Sequence, residues 1–297
     1  MKMVNFAEFG GPDVLRLIDA EKPHAGPGRV RIAVRAAGVN PVDWRIREGQ
    51  VIGAHPTTLP AGLGLDAAGV VDQVGEGVTG IAVGDRVFGE GGNTYAEFAV
   101  LTAWARMPEG LSFEEAAGYP SVVETALRVI RQVGVRPGQT LLVSGAAGGV
   151  GSAVLQIARV RGIAVIGTAS AANQDYLRGL GATATTYGEG WVERVRRLGR
   201  VDAALDLAGS GVIRELVELT GDPGRVVSIA DLGAPELGVR FSGTAGSVPQ
   251  ALAEAARLIT RGDLHIPVAK SYPLSEAAAA HADSQAGHTR GRRVIIP

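Results

Sequence analysis

The chain has no cysteine in 297 residues. That absence excludes disulfides, a thiolate nucleophile and every zinc site that needs a sulfur ligand, and it agrees with a cytoplasmic protein. Neither sign of charge is in excess: 29 basic residues against 30 acidic give a formal charge of -1. No block of lysine and arginine reaches the density of a surface for nucleic acid or anionic membrane, so neither partner is expected and a small neutral or anionic ligand is. No uninterrupted apolar run approaches the roughly 20 residues of a membrane span. The opening MKMVNFAEFGGPDVL has no basic head followed by an apolar export core, and a soluble cytoplasmic chain is the expectation. The five histidines, His24, His55, His265, His281 and His288, form no pair four residues apart and no short loop pair. No metal site is expected from them, and each reads as a surface or packing residue.

What is present is ample apolar material, 46% of all residues, enough at this length for two cores. As far as about Gly118 the apolar residues come in short runs broken by glycine and proline, among them RVRIAVRAAGVN, AAGVVDQVGEGV and YAEFAVL. Strands joined by turns explain that spacing. VRIAVRAAGV alternates basic and apolar residues over its first half, as a strand with one wet face does. This zone reads as a mostly β, barrel-like domain. From about Leu111 the rhythm changes: QTLLVSG, VGSAVLQIARVRG, IAVIGTAS, NQDYLRGLGA, VDAALDLAG, GVIRELVELTG and GRVVSIAD alternate strand and helix. Such alternation predicts a parallel sheet covered by helices. The tail, HIPVAKSYPL and GRRVIIP around an alanine-rich helix, is too short to bury a core of its own and is expected to fold back onto the first domain. The expected domains are residues 1–117 completed by 265–297, and residues 118–264.

VSGAAGGVG follows a strand and opens a helix, the setting a dinucleotide fingerprint requires. On the G-x-G-x-x-G frame Ala146 takes the first place, Gly148 the second and Gly151 the third, with Ala147, Gly149 and Val150 between them. A small first residue permits the tight turn, Gly148 lets the backbone approach a pyrophosphate, and Gly151 lets the helix pack closely on the strand. Enzymes that use NAD place an acid at the end of the next strand, where this chain has Thr168, Ala169 and Ser170. A carboxylate there would repel a 2′-phosphate, whereas Ser170 can donate a hydrogen bond to it, so the pocket reads as selecting NADPH. Ser170 also reads as a helix cap. Ser228, Ile229 and Ala230 lie at the C-terminal end of a further strand, where open parallel sheets bind ligands.

AAGVNPVDWRIREG, GLDAAGVV, VGDRVFG, YAEFAV, SGAAGGVGSAVLQIA, VDAALDLAG, GRVVSIA and HTRGRRVII occur in that order. Together they resemble the zinc-independent quinone oxidoreductase and enoyl reductase branch of the medium-chain dehydrogenase/reductase superfamily, over nearly the whole chain. The resemblance implies an α/β fold: a GroES-like β-barrel catalytic domain, a Rossmann doubly wound parallel-sheet cofactor domain, and a cofactor-and-substrate cleft between them. It also implies homodimers through the Rossmann sheet edge, supplied here by the strand near GVRFSGT. The zinc branch carries Cys-x-x-Asp where this chain has NPVD, Asn40 to Asp43, and Gly-His-Glu where it has GLD, Gly64 to Asp66.

The activity implied is NADPH-dependent hydride transfer to a quinone or to the activated C=C of an α,β-unsaturated carbonyl. The alternatives are a weakly catalytic NADPH-binding protein with a structural or regulatory task, and a pathway-specific reductase or cyclase. Without a metal, hydrogen-bond donors must stabilise the oxygen that gains charge. By resemblance Asn40 places its amide near nicotinamide and substrate; its other reading is a turn residue ahead of Pro41. Asp43 is expected to orient Arg47 or cap the following helix. Trp44 is a substrate wall or core. Val51, read as a substrate-pocket residue, stands where many relatives carry a tyrosine that can donate a proton. Tyr119 is a catalytic candidate that would approach the nicotinamide from the other domain, or else a core or hinge residue. Thr125 matches a family threonine near nicotinamide and phosphates, and Tyr187 a tyrosine near the adenosine phosphate. The lysine of the preceding helix is absent, with Ala172 near its place and Arg178 as a substitute or a solvated residue. Arg292 sits where relatives have lysine in GKV, as a cofactor contact or a surface cation.

Overall fold

The computed structural model describes residues 1–50, 57–243, 246–287 and 290–297. In chain order its strands are β1 (Lys2–Phe6), β2 (Arg16–Asp19), β3 (Val30–Val39), β4 (Ala61–Gly62), β5 (Asp66–Val74), β6 (Arg86–Gly92), β7 (Phe98–Arg106), β8 (Thr140–Ser144), β9 (Ala164–Ala169), β10 (Thr183–Thr186), β11 (Ala203–Asp206), β12 (Val226–Ser228), β13 (Arg240–Phe241), β14 (Val268–Pro273) and β15 (Arg292–Ile296). The helices are α1 (Pro41–Arg47), α2 (Phe113–Ala117), α3 (Pro120–Val133), α4 (Gly149–Val160), α5 (Gln174–Gly179), α6 (Trp191–Leu198), α7 (Ile213–Thr220), α8 (Val248–Thr260) and α9 (Ala277–Ala286).

Two compact units result. The first comprises Met1–Glu124, Ser247–Gly262 and Ile266–Pro297, and the second Thr125–Gly246 and Asp263–His265. The chain passes from one to the other within α3. This division sets α8 with the first unit, through its packing against β7, whereas the alternating rhythm of the sequence groups it with the second.

In the first unit β3 pairs antiparallel with β5 on one side and β7 on the other, and β6 joins β5 to β7. The four strands therefore close on themselves as a barrel, which leaves no free edge among them. The terminal strand β15 pairs antiparallel with the far end of β3, Arg293 opposite Val39, and carries β14 beside it in parallel. The residues of β3 show why one strand can serve three neighbours. Its first half alternates buried and partly exposed positions, while Ala36 to Val39 are buried on both faces. The barrel core is built from Phe6, Val30, Ile32, Val71, Tyr95 and Leu101, all 2% exposed or less.

In the second unit the six strands are all parallel, in the order β10, β9, β8, β11, β12, β13. Numbered within the unit this is 3-2-1-4-5-6, the doubly wound order, with its reversal between β8 and β11. α4 is buried at every position from Gly151 to Ala158, which its mostly small and apolar residues allow, while Gln156 donates to the carbonyls of Ser152 and His265. Among the described residues no helix is long and apolar enough to cross a membrane.

Candidate functional site

The glycine turn stands at that reversal point. β8 ends at Ser144, whose register partners are Thr168 on β9 and Asp206 on β11. The chain then turns through Gly145 at φ +80°, the left-handed region where a side chain is strained. A Cβ on Gly145 would also lie 3.2 Å from the backbone of Ala208. The tight turn is therefore made one position ahead of Ala146, which the fingerprint frame assigned to it. Ala146 is buried, its amide donating to the carbonyl of Thr168 at 3.3 Å, and Ala147 is buried beside it. Gly151 meets the turn edge-on: a Cβ there would sit 2.4 Å from the Gly145 carbonyl and 2.5 Å from that of Ala146. Gly148, the cap of α4, faces the opposite situation, with nothing closer than 3.6 Å to the point where a methyl would stand. Gly148, Gly149 and Val150 are half-buried. The amides of the first helical turn, which have no intrahelical acceptor, open there into a space fit for an anion.

Thr168 is buried at the end of β9 and Ser170 follows it half-buried. The Ser170 hydroxyl caps no backbone amide and instead accepts from Asn173 Nδ2 at 3.2 Å, which leaves its own proton to donate. Arg178 is paired with Asp175 at 2.6 Å. Tyr187, just past β10, is 53% exposed. Thr125 Oγ1 accepts from Arg128, whose guanidinium also bonds the carbonyl of Ser242 at 2.9 Å. The Ser228 hydroxyl is engaged within the protein: it donates to Asp206 Oδ2 at 2.8 Å and accepts the amides of Ala230 and Asp231. Ile229 and Ala230 are half-buried, and the Ile229 amide is taken by the Asp206 carbonyl. Asp206 thus organises both strand ends, because its other oxygen accepts the amides of Ala208 and Gly209. Sequence reasoning passed over it, although a lone acid closing an apolar strand had to be buried and satisfied.

The first unit holds a second polar cluster, at the end of β3. Asn40 is 4% exposed and both ends of its amide are engaged. Nδ2 donates to Asp66 Oδ2 at 3.0 Å, and Oδ1 accepts from Arg292 Nη2 at 2.7 Å. Asp66 opens β5 and is fully buried; its other oxygen accepts both the amide and the hydroxyl of Ser121, at 3.1 Å and 2.5 Å. Ser121 Oγ lies 3.3 Å from Glu90 Oε1. Arg292 and Asp66 approach to 3.6 Å. The sequence placed Arg292 as a cofactor contact or surface cation; instead the guanidinium is buried against Asn40 and Asp66.

Below this, Asp43 Oδ2 accepts the Asn40 amide at 2.7 Å and the Tyr95 hydroxyl at 2.8 Å. Asp43 therefore caps α1 and does not orient Arg47, which bonds Gly10, Glu48, Gln285 and His281. Burial pushes the Asp43 carboxyl up to about 7, against the pull of its two donors. Burial likewise holds His281 down to about 3, with the Arg47 charge adding to the effect. His281 is a packing residue, fully buried and edge-on to Tyr95. Tyr119 is 1% exposed, its hydroxyl accepting the Ile266 amide at 3.3 Å, the geometry of a core residue. Trp44 is half-buried, with Arg45 stacked 5.4 Å from its ring. Val51, His55 and His288 lie outside the described residues.

Two family models match the chain: "Alcohol dehydrogenase GroES-like domain" over residues 26–112 and "Zinc-binding dehydrogenase" over residues 180–295. The chain is 32% identical to a quinone oxidoreductase of Pseudomonas aeruginosa, over all of this chain and 99% of that one. Among solved structures it is similar to the quinone oxidoreductase from Coxiella burnetii, with 30% identity, TM-score 0.88, and 100% and 99% of the two chains covered. It is similar also to the Escherichia coli quinone oxidoreductase complexed with NADPH, with 28% identity, TM-score 0.85, and 100% of each chain covered. The zinc in the second family's description does not fit this chain. There is no cysteine, Asn40 stands where the zinc branch has a cysteine and Leu65 where it has a histidine. Asn40 and Asp66 are bound to each other and to a guanidinium whose charge would repel a metal ion.

Proposed function

Since the chain belongs to the quinone oxidoreductase branch of the medium-chain dehydrogenase/reductase superfamily, we propose that it is an NADPH-dependent, zinc-independent oxidoreductase reducing a quinone or the activated C=C of an α,β-unsaturated carbonyl. The observation that carries this reading is the glycine turn at the strand-order reversal, with Gly148 open, Gly151 closed against the turn, and no acid at the end of β9. The pyrophosphate would lie against the amides that open α4, and Ser170 would donate to the 2′-phosphate that separates NADPH from NADH. The complex of the Escherichia coli relative with NADPH supports the same assignment.

Bound NADPH supplies the hydride. As it reaches a quinone or the β-carbon of an enone, negative charge collects on the carbonyl oxygen, and Asn40 Nδ2 donates a hydrogen bond to that oxygen. One of its two protons is committed to Asp66, so the other is the one available. Tyr119, with its hydroxyl held at Ile266, takes no part in this reading, and the proton that completes the reduction comes from solvent. A second copy of the chain would pair along the outer side of β13, the last strand of the second unit's sheet.

NADPH should bind more tightly than NADH by calorimetry; equal affinities would remove Ser170 from the argument. Loss of nicotinamide absorbance should follow addition of members of a panel of quinones and enones, and no consumption across the panel would favour a protein that only binds the cofactor. Asn40→Ala should lower kcat about 100-fold or more with little change in NADPH affinity, and a fully active variant would remove Asn40 from the mechanism.

A further inference from the structure

The Asn40 amide could fill its place in the cluster in either of two orientations. An asparagine side chain can be turned over to exchange oxygen and nitrogen at almost no steric cost, so its orientation is set by its neighbours. Here a carboxylate faces the NH2 and a guanidinium faces the oxygen, at 3.0 Å and 2.7 Å. The reversed amide would set oxygen against carboxylate and NH2 against cation, two repulsive contacts in a buried site. We propose that Asp66 and Arg292 are positioning residues that hold Asn40 in one orientation, so that its second N–H, never its oxygen, is offered to the substrate oxygen. This rests on the reading of Asn40 given above and extends it to the two residues that act through it.

Three observations show a built arrangement. Asp66 is itself fixed, its second oxygen taken by the amide and hydroxyl of Ser121 at the start of α3. Arg292 is fixed through its backbone, which donates to the Pro267 carbonyl at 2.8 Å and opens the strand that pairs with β3. Space for the guanidinium is kept by Gly38: a Cβ there would stand 3.1 Å from Arg292 Nη2 and 2.4 Å from the Ala117 carbonyl. The arrangement is also costly. Arg292 is 6% exposed, and its Nε is buried with no hydrogen-bond partner. Apolar side chains of similar volume commonly stabilise a fold as well as such a buried pair does. Orientation of Asn40 is a task they cannot perform. The guanidinium draws electron density toward Oδ1, which makes the amide N–H the better donor.

The test compares Arg292→Gln, Arg292→Lys and Asp66→Asn with the parent chain, by crystal structure and by kinetics. In Arg292→Gln and Asp66→Asn the Asn40 amide should turn over or leave its present position, and kcat should fall about 100-fold with NADPH affinity little changed. Arg292→Lys keeps the cation and should recover most of that loss. In an Asn40→Ala background Arg292→Gln should cost little further turnover, because the amide it acts through is gone. An Asn40 amide that keeps both its position and its oxygen and nitrogen assignment in these variants would overturn the proposal, and so would a loss as large in the Asn40→Ala background as in the parent. Should Arg292→Gln fail to fold, Asp66→Asn supplies the same two readouts. If Asn40 moves as expected while Asn40→Ala alone keeps full turnover, the positioning holds and the role of Asn40 as the donor falls.

Discussion

Among the buried titratable groups of the first unit, Asp43 and His281 give its stability opposite pH slopes. Asp43 has its folded value raised from 3.8 to about 7, so the folded state holds a proton that the unfolded chain releases. Its contribution is present below the unfolded value and is lost as pH rises toward 7. His281 is lowered from 6.5 to about 3, so its contribution is present above the unfolded value and lost as pH falls toward 3. Each effect is on the order of a few kcal/mol, and over the acid range they partly cancel. The groups facing Asp43 are Tyr95, Asp66 and Arg292, and the cation facing His281 is Arg47. Asp66, also raised by burial, adds a decline of the same sign as Asp43. Asp43→Asn should therefore make the slope of stability between pH 4 and 7 more positive than in the parent, whereas His281→Gln should make it more negative. Urea unfolding across that range checks the signs, and parallel profiles for the two variants would refute both assignments. At this scale the sequence was legible where a residue type has one use. It was not legible for Arg292 or Ser228, because a cation or hydroxyl near a strand end serves a ligand or a neighbouring side chain equally well, and only folding brings Asn40 and Asp206 beside them.

Within the β8–α4 element the two fingerprint glycines do different physical work, and substitution should separate them. A methyl at Gly151 must displace backbone at 2.4 Å and 2.5 Å, so Gly151→Ala should cost roughly 1–3 kcal/mol of stability, as overpacking does, together with NADPH affinity. A methyl at Gly148 meets open space, with only the Gly145 carbonyl at 3.6 Å. Gly148→Ala should leave the melting temperature nearly unchanged yet weaken NADPH about tenfold or more, since the methyl occupies the approach of the pyrophosphate. Thermal unfolding and calorimetry on the same samples decide it; equal losses of stability would contradict the geometry. Elements with strong periodicity, such as α4 and the strands β8, β9 and β11, were readable in advance. The polar helix α6 and the short strand β10 were not, since WVERVRRL and TATT carry few apolar residues and gain their burial from neighbours. The turn glycine was misplaced by one residue for a related reason: pattern fixes which residues are small, while φ fixes which one turns.

At the scale of the whole molecule, the change from short β runs to alternating strand and helix was visible because it extends over many residues. The parallel sheet follows from it, whereas the doubly wound arrangement was implied by the resemblance. Association of copies is carried by much less. β13 has two residues and pairs with β12 on one side, in register Val227 with Arg240 and Ser228 with Phe241. Because the Ser242 amide points inward to the Ser228 carbonyl at 2.8 Å, the alternation of a strand turns the Phe241 amide outward. That amide lies on the side where a second copy would add its own strand. The chain should sediment as a dimer, and Phe241→Pro, which removes the outward donor without touching the inward one, should sediment as a monomer that still binds NADPH. A monomeric parent would end the proposal of a dimer, and a dimeric Phe241→Pro would place the contact elsewhere on the surface.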